Sequence, residues 1–233
     1  MTAGPGEVQT VAAARALRGK RSVFIGVGRP STAAILARMV HNPDLVLFYE
    51  SGTIGAKPFR VPLSIGDGEL AETADAVVSV VEMFDYWIGP GRVQVAFLGA
   101  AQVDRHANLN STVIGDYEQP KTRLPGAGGA PEIALGCPEV VVIAPHSPRT
   151  FVGQLDFRTT SGRHTTAVIT DLGVLEPRDG ELTLVAVHPG VSAEDARAAT
   201  GWALKVADDL GETAPPGEHE LATLRGLKRK GGA

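Results

Sequence analysis

The chain has 233 residues, 43% hydrophobic and 21% charged, with 22 basic against 26 acidic side chains and a net charge of -4. That size and apolar content suit a single large domain over 1–233, and the acidic balance argues against general nucleic-acid binding. One cysteine, Cys137, excludes an internal disulfide framework; with no zinc-like Cys/His spacing, no secretion signal and no apolar run near the ~18 residues that span a bilayer, a cytoplasmic, non-membrane, metal-free protein is expected.

In chain order, Val8, Val11, Ala12, Ala14 and Leu17 recur at helical intervals and predict a helix over 7–18, followed by a strand from Ser22 to Gly26. Pro30 and Ser31 suit the start of a second helix running to Val40, and Leu45 to Tyr49 is a second strand. The runs 93–98 and 140–144, β-branched and bounded by Gly or Pro, read as buried strands. Beyond Thr165 the pattern changes to short strands at 167–170, 174–175 and 182–188, with a turn at Pro177-Arg178-Asp179-Gly180. Ser192 caps a helix reaching about Thr200. Residues 212–233, with Pro215-Pro216-Gly217 and a basic end, read as a loosely ordered tail. The fold class is therefore α/β: a mostly parallel sheet with flanking helices and a C-terminal antiparallel extension.

Three constellations can carry chemistry. Gly26-Val27-Gly28-Arg29-Pro30-Ser31 follows a strand and opens a helix, with Glu50 ending the next strand, in imitation of a dinucleotide-binding fingerprint. Ser31 replaces its third glycine and Arg29-Pro30 interrupts its loop. A nucleotide-binding module is thus one alternative. The second is Glu50-Ser51-Gly52-Thr53-Ile54-Gly55-Ala56, which delivers a carboxylate onto the lip of a glycine turn. The third comprises 98–110, with Asn108 and Asn110, and Leu124-Pro125-Gly126-Ala127-Gly128-Gly129-Ala130.

The second and third constellations, in that order, resemble the Glu-Ser-Gly or Glu-Asn-Gly signature of the β subunit of family I CoA-transferases and the two blocks that follow it. The likeness is nearest to the glutaconate and 3-oxoadipate CoA-transferase type, and it continues through Asp156-Phe157, 171–174 and 188–191. The resemblance implies the CoA-transferase fold and an α-subunit partner in a heterodimer or larger αβ assembly. It also implies that Glu50 attacks an acyl-CoA thioester and then carries CoA as a glutamyl thioester, CoA being a substrate with no permanently bound cofactor.

Tetrahedral oxyanions on such a route need fixed donors. The Gly128 and Gly129 amides and the Asn110 side chain are the candidates, with Ser51 and Gly52 beside the nucleophile. Lys57, Arg60, Lys121 and Arg123 flank the glycine turns and are candidates for the phosphates of CoA. Phe24 stands where ketoacid-specific relatives have an asparagine, so their donors do not transfer. His146 and Cys137 are expected to be structural. Acyl-CoA hydrolysis or hydrolytic ring opening on the same scaffold is the other enzymatic alternative.

Overall fold

A computed structural model describes residues 3–26 and 28–230, the side chains of 229 and 230 excepted. Helix α1 (Pro5–Arg15) leads into β1 (Ser22–Ile25), α2 (Arg29–Val40) and β2 (Val46–Phe48), which turns back as β3 (Thr53–Ile54). After α3 (Gly68–Glu72), β4 (Ala76–Val77) and α4 (Val80–Glu82) comes a π-helix (Met83–Ile88), then β5 (Val95–Leu98). Two ribbons follow, β6 (Gln102–Val103) with β7 (Leu109–Asn110) and β8 (Val113–Gly115) with β9 (Pro120–Arg123). The remainder is α5 (Ala130–Gly136), β10 (Glu139–Ile143), β11 (Thr165–Ile169), β12 (Gly173–Arg178), β13 (Glu181–Val187), α6 (Ala193–Ala198), β14 (Lys205–Glu212) and α7 (Glu218–Lys230).

Ten strands make one sheet in the order β14-β13-β12-β11-β10-β5-β1-β2-β3-β4. Its centre, β2-β1-β5-β10-β11, is parallel, and every residue of β1 and β5 is buried because both faces are covered. Alternation along the strands divides the core. Val23, Ile25, Leu47, Val95 and Phe97 pack under α1, α2 and α7, whereas Phe24, Phe48, Ala96 and Leu98 face the ribbons, α5 and the π-helix.

The expected antiparallel extension is present in β11-β12-β13, and the β12–β13 hairpin closes one residue later than the sequence suggests. Asp179 at φ 52° and Gly180 at φ 80° form its tip, two positive-φ residues whose twist matches that of the strands. Two corrections concern the C-terminus. β14 runs parallel to β13 as an edge strand, and the described part of the expected tail ends in α7. Leu224 and Leu227 bury one face of that helix, while Arg15 donates to Glu220 at 2.6 Å and Arg225 to Glu7 at 2.8 Å. Residues 231–233 of that tail lie outside the described residues.

His146, just beyond β10, is structural. Its ring shares hydrogen bonds with Thr170 Oγ1 at 3.2 Å and Thr200 Oγ1 at 2.9 Å and stacks on Phe151 at 4.0 Å between centroids. Burial pushes its pKa down from 6.5 to about 4. Between those values the unfolded chain binds the proton that the folded one excludes, so this group's effect is to lower stability as pH falls from 6.5 towards 4. The loss is on the order of 3 kcal/mol at 1.36 kcal/mol per unit. Thermal melts across that range should show His146→Gln with a shallower pH dependence than the parent; an identical slope would sink the assignment.

Candidate active site

The chain leaves β2 through Tyr49, whose side chain is buried under α2 with its hydroxyl 3.5 Å from Ser31 Oγ. Burial raises the Tyr49 phenol to about 12, so it is a neutral anchor. The Gly52 amide donates back to the Tyr49 carbonyl at 3.0 Å, and the Tyr49 amide donates to the Thr53 carbonyl at 3.1 Å. Glu50 and Ser51 are therefore the tip of a tight turn joining β2 to β3. By alternation from Phe48, Glu50 is directed to the ribbon side of the sheet.

Gly52 sits at φ 99°, and a Cβ built there lies 1.9 Å from the Val78 carbonyl oxygen. Only glycine fits that turn. Gly52→Ala should cost about 3 kcal/mol or more, from left-handed strain and backbone overlap together, and thermal denaturation should show it. A variant melting within a degree or two of the parent would mean that the hairpin can re-form without this contact.

Glu50 opens into a cavity of about 330 Å³ walled by Phe24, Gly26, Ile65, Leu98, Ser111, Leu124 and Ile133. It lies beyond the carboxyl ends of β1 and β5, where the chain's crossovers diverge to the two sides of β1, the usual ligand crevice of an open α/β sheet. On its far wall the Gly129 amide donates to Glu50 Oε1 at 3.1 Å. This bond joins residues 79 apart in sequence.

The loop carrying that amide is fixed from below. The Ser111 hydroxyl donates to the Gly126 carbonyl, the Gly126 amide donates to the Ser111 carbonyl, both at 2.9 Å, and Gly126 and Gly128 have positive φ. Gly129 has an ordinary φ of -86° and caps α5, so its amide is among the donors that a helix start leaves unused. A Cβ on Gly129 would lie 2.4 Å from Phe84 Cζ and 3.0 Å from Glu50 Oε1. Phe84 projects from the π-helix, a form of helix often found at functional sites.

The other sequence candidates separate by position. Asn110 is fully buried: its amide nitrogen donates to Gln102 Oε1 and the Val113 carbonyl, both at 2.7 Å, and its oxygen accepts from the Thr112 and Val113 amides. All four of its hydrogen-bonding positions are filled, so it holds the turn beside Ser111 and offers no donor to the cavity; this corrects its expected role. Gly128 supplies the left-handed turn before Gly129, and a Cβ there would stand 3.9 Å from Glu50 Oε1. The Ser51 hydroxyl is buried with no partner among the described residues. Phe24 forms cavity wall and brings no polar group.

Among the cations, Lys57 pairs with Asp75 near the start of β2. Five residues of extended chain separate that level from Glu50, roughly 16 Å at 3.3 Å each. Arg60 is held by Asp67 through two bonds of 2.9 Å and by Glu69 at 2.8 Å, and that cluster supports the loop carrying Ile65. Antiparallel β3 thus carries Lys57 away from the cavity, whereas Arg60 is engaged by two carboxylates in the loop that brings Ile65 back to it. Arg123 lies over the Tyr117 ring at 4.6 Å and donates to the Tyr117 carbonyl at 2.5 Å. Lys121 alone of the four lines a cavity beside the first.

Val27, in the middle of the glycine motif, lies outside the described residues. Gly26 is cavity wall and Ser31 is buried against Tyr49, so the loop is used here as part of the crevice. Cys137 is buried and burial pushes its thiol up to about 12. Among the described residues no group of three or more His, Cys, Asp or Glu is gathered as a metal ion would need, and no helix is long and apolar enough to cross a membrane. The sequence pattern missed Phe84 and Ser111. Phe84 had one visible signal, the aromatic run Phe84-Asp85-Tyr86-Trp87 with no place in a strand or a periodic helix.

A family model described as Coenzyme A transferase matches residues 7–198. The β subunit of the 3-oxoadipate CoA-transferase of Pseudomonas knackmussii is 52% identical over 96% of this chain and 93% of its own. The β subunit of the glutaconate CoA-transferase of Acidaminococcus fermentans is 32% identical over 90% of this chain and 86% of its own. The crystal structure of the glutaconate coenzyme A-transferase from that organism superposes with a TM-score of 0.91 at 28% identity, covering 98% of this chain and 96% of that one. A cholesterol ring-cleaving hydrolase IpdB subunit from Rhodococcus jostii is 28% identical over 84% of this chain and 80% of its own.

Proposed function

The chain belongs to the coenzyme A transferase family, as the β subunit of a heteromeric CoA-transferase that works with an α subunit, and on that premise we propose that Glu50 is the nucleophile that carries coenzyme A between carboxylic acids. The observation that carries the proposal is the Glu50 carboxylate at a rigid hairpin tip, held at 3.1 Å by the Gly129 amide on the wall of a cavity large enough for a small acyl group.

One carboxylate oxygen of Glu50 adds to the acyl-CoA carbonyl. The carbon–sulfur bond breaks, leaving an acyl-glutamyl anhydride and the CoA thiolate. The thiolate then adds to the glutamyl carbonyl, the anhydride carbon–oxygen bond breaks, and the first acid departs as its carboxylate. A second carboxylate reverses both steps and restores Glu50. No proton is gained or lost overall, which suits a site whose described lining offers no histidine or lysine.

The Gly129 amide has a specific place in this sequence. It contacts Oε1 of Glu50, so when the glutamyl carbonyl becomes tetrahedral that oxygen is the oxyanion and its donor is already in position. The apolar walls, Phe24, Leu98, Leu124 and Ile133, suit the methylenes of an acid of the kind named by the relatives, 3-oxoadipate or glutaconate. A CoA-transferring β subunit acting on such a dicarboxylic acid is the proposed function.

Incubating the αβ complex with acyl-CoA and then borohydride or hydroxylamine should leave a modification on Glu50 detectable by mass spectrometry. An active complex without that adduct sinks the covalent route. The hydrolytic reading, favoured by the IpdB likeness, requires CoA release independent of any added carboxylic acid; release that rises with the acceptor and saturates supports transfer.

A further inference from the structure

Beside the Glu50 cavity is a second, of about 540 Å³, and Ala101 lines both. Its wall carries two cationic side chains, Lys121 and Arg149, and no acidic one among the described residues. We propose that it receives the phosphate groups of the coenzyme A thioester, with the pantetheine arm passing over Ala101 to present the thioester to Glu50.

Lys121 faces the cavity because the ribbon that carries it is irregular. In the β8–β9 ribbon Ile114 pairs with Thr122 and Gly115 with Pro120, so Lys121 is the extra residue of a β-bulge. A regular strand sends neighbouring residues to opposite faces, yet Lys121 and Thr122 both line this cavity, together with Ile114 from the same face. The bulge re-aims Lys121, as bulges beside active sites do. Gly115, at φ 86°, leaves the space in which the Lys121 backbone sits, a Cβ there falling 3.2 Å from its nitrogen.

Arg149 lines the same cavity from an equally fixed segment. The Thr150 and Phe151 amides donate to the Ser147 carbonyl at 2.9 and 2.8 Å, and the Val103 amide donates to the Thr150 carbonyl at 2.7 Å. Neither cation has an ion pair among the described residues, in contrast to Lys57 and Arg60. Two exposed positive groups held on rigid elements around a concave surface suit a multiply charged phosphate ligand.

This inference rests on the assignment of Glu50 as the CoA carrier and deepens it. The test uses the αβ complex with Lys121→Met and Arg149→Met combined. For acyl-CoA, kcat/KM should fall about tenfold or more, as expected for losing charge-assisted contacts. For the acyl-pantetheine ester, which lacks the phosphates, it should not change, nor should the KM of the acceptor acid. The dephospho-CoA ester locates the contact: a retained penalty points to the diphosphate and a lost one to the 3′-phosphate, either of which supports the site. An unchanged kcat/KM for acyl-CoA, an equal loss on the pantetheine ester, or a loss confined to the acid overturns it. If the wild-type complex forms no adduct on Glu50, the carrier assignment has failed, and titration calorimetry of CoA on parent and variant still decides the phosphate site.

Discussion

Glu50→Gln should lower transferase activity of the αβ complex by about 10⁴-fold or more, the scale of loss when a covalent nucleophile is removed, while leaving the fold unchanged. Glutamine keeps an oxygen that accepts from the Gly129 amide, so the hairpin tip and the cavity wall retain the contact seen at 3.1 Å. Only nucleophilicity is lost. Glu50→Asp separates position from chemistry: it retains a carboxylate but withdraws it by one methylene from an amide fixed on another element. A misplacement on the order of 1 Å typically costs about 100-fold, so aspartate should fall between the parent and glutamine. The melting temperatures of both variants should match the parent, because Glu50 is only partly buried and the turn is closed by backbone bonds from Gly52 and Tyr49. A glutamine variant retaining more than about a hundredth of the parent rate would end the assignment of Glu50 as carrier.

What could be read in advance was what is local in sequence. The apolar runs that became β5 and β10 need only their own residues to announce burial, and the turn presenting Glu50 is encoded within Tyr49 to Gly52. The opposite wall is not local. Gly129 reaches Glu50 only because β5 returns beside β1 and places α5 across the crevice, and Phe84 joins them from a π-helix that has no periodic signal. Nearness in sequence also misled. Lys57 follows Glu50 by few residues, but β3 reverses the chain and leaves it paired with Asp75, and Arg60 is taken up by Asp67 and Glu69 beyond its own loop. In α7 the basic end masked the spacing of Leu224 and Leu227, which have a face to cover only once α1 and α2 are folded beneath them. Asn110 has the chemistry of an oxyanion donor, and the fold uses that chemistry inside the β7–β8 turn.

The adjacent glycines Gly128 and Gly129 should respond to alanine in opposite ways. Gly129 has φ -86° and ψ 3°, a backbone that alanine adopts without strain. Any effect there must come from the new methyl, which would lie 2.4 Å from Phe84 Cζ and 3.0 Å from Glu50 Oε1. Either the ring moves or the loop retreats, and a retreat takes the amide away from the oxygen that becomes the oxyanion. Gly129→Ala should therefore lower kcat by about 100- to 1000-fold, the value of one such donor, with a smaller effect on melting. Gly128, at φ 50°, is the reverse. A Cβ there would be in ordinary contact with the Glu50 carboxylate at 3.9 Å, but the left-handed backbone penalises it, so Gly128→Ala should cost about 1 to 2 kcal/mol of stability and little rate. Phe84→Ala combined with Gly129→Ala tests the route of the damage. If the ring is what displaces the loop, the double variant should recover at least tenfold of the lost kcat relative to Gly129→Ala, a coupling of about 1.4 kcal/mol in a double-mutant cycle. If the two losses simply add, the methyl acts through Glu50 itself, and Phe84 has no part in holding the donor. Should Gly129→Ala keep full activity, the oxyanion donor has to be sought on the α subunit.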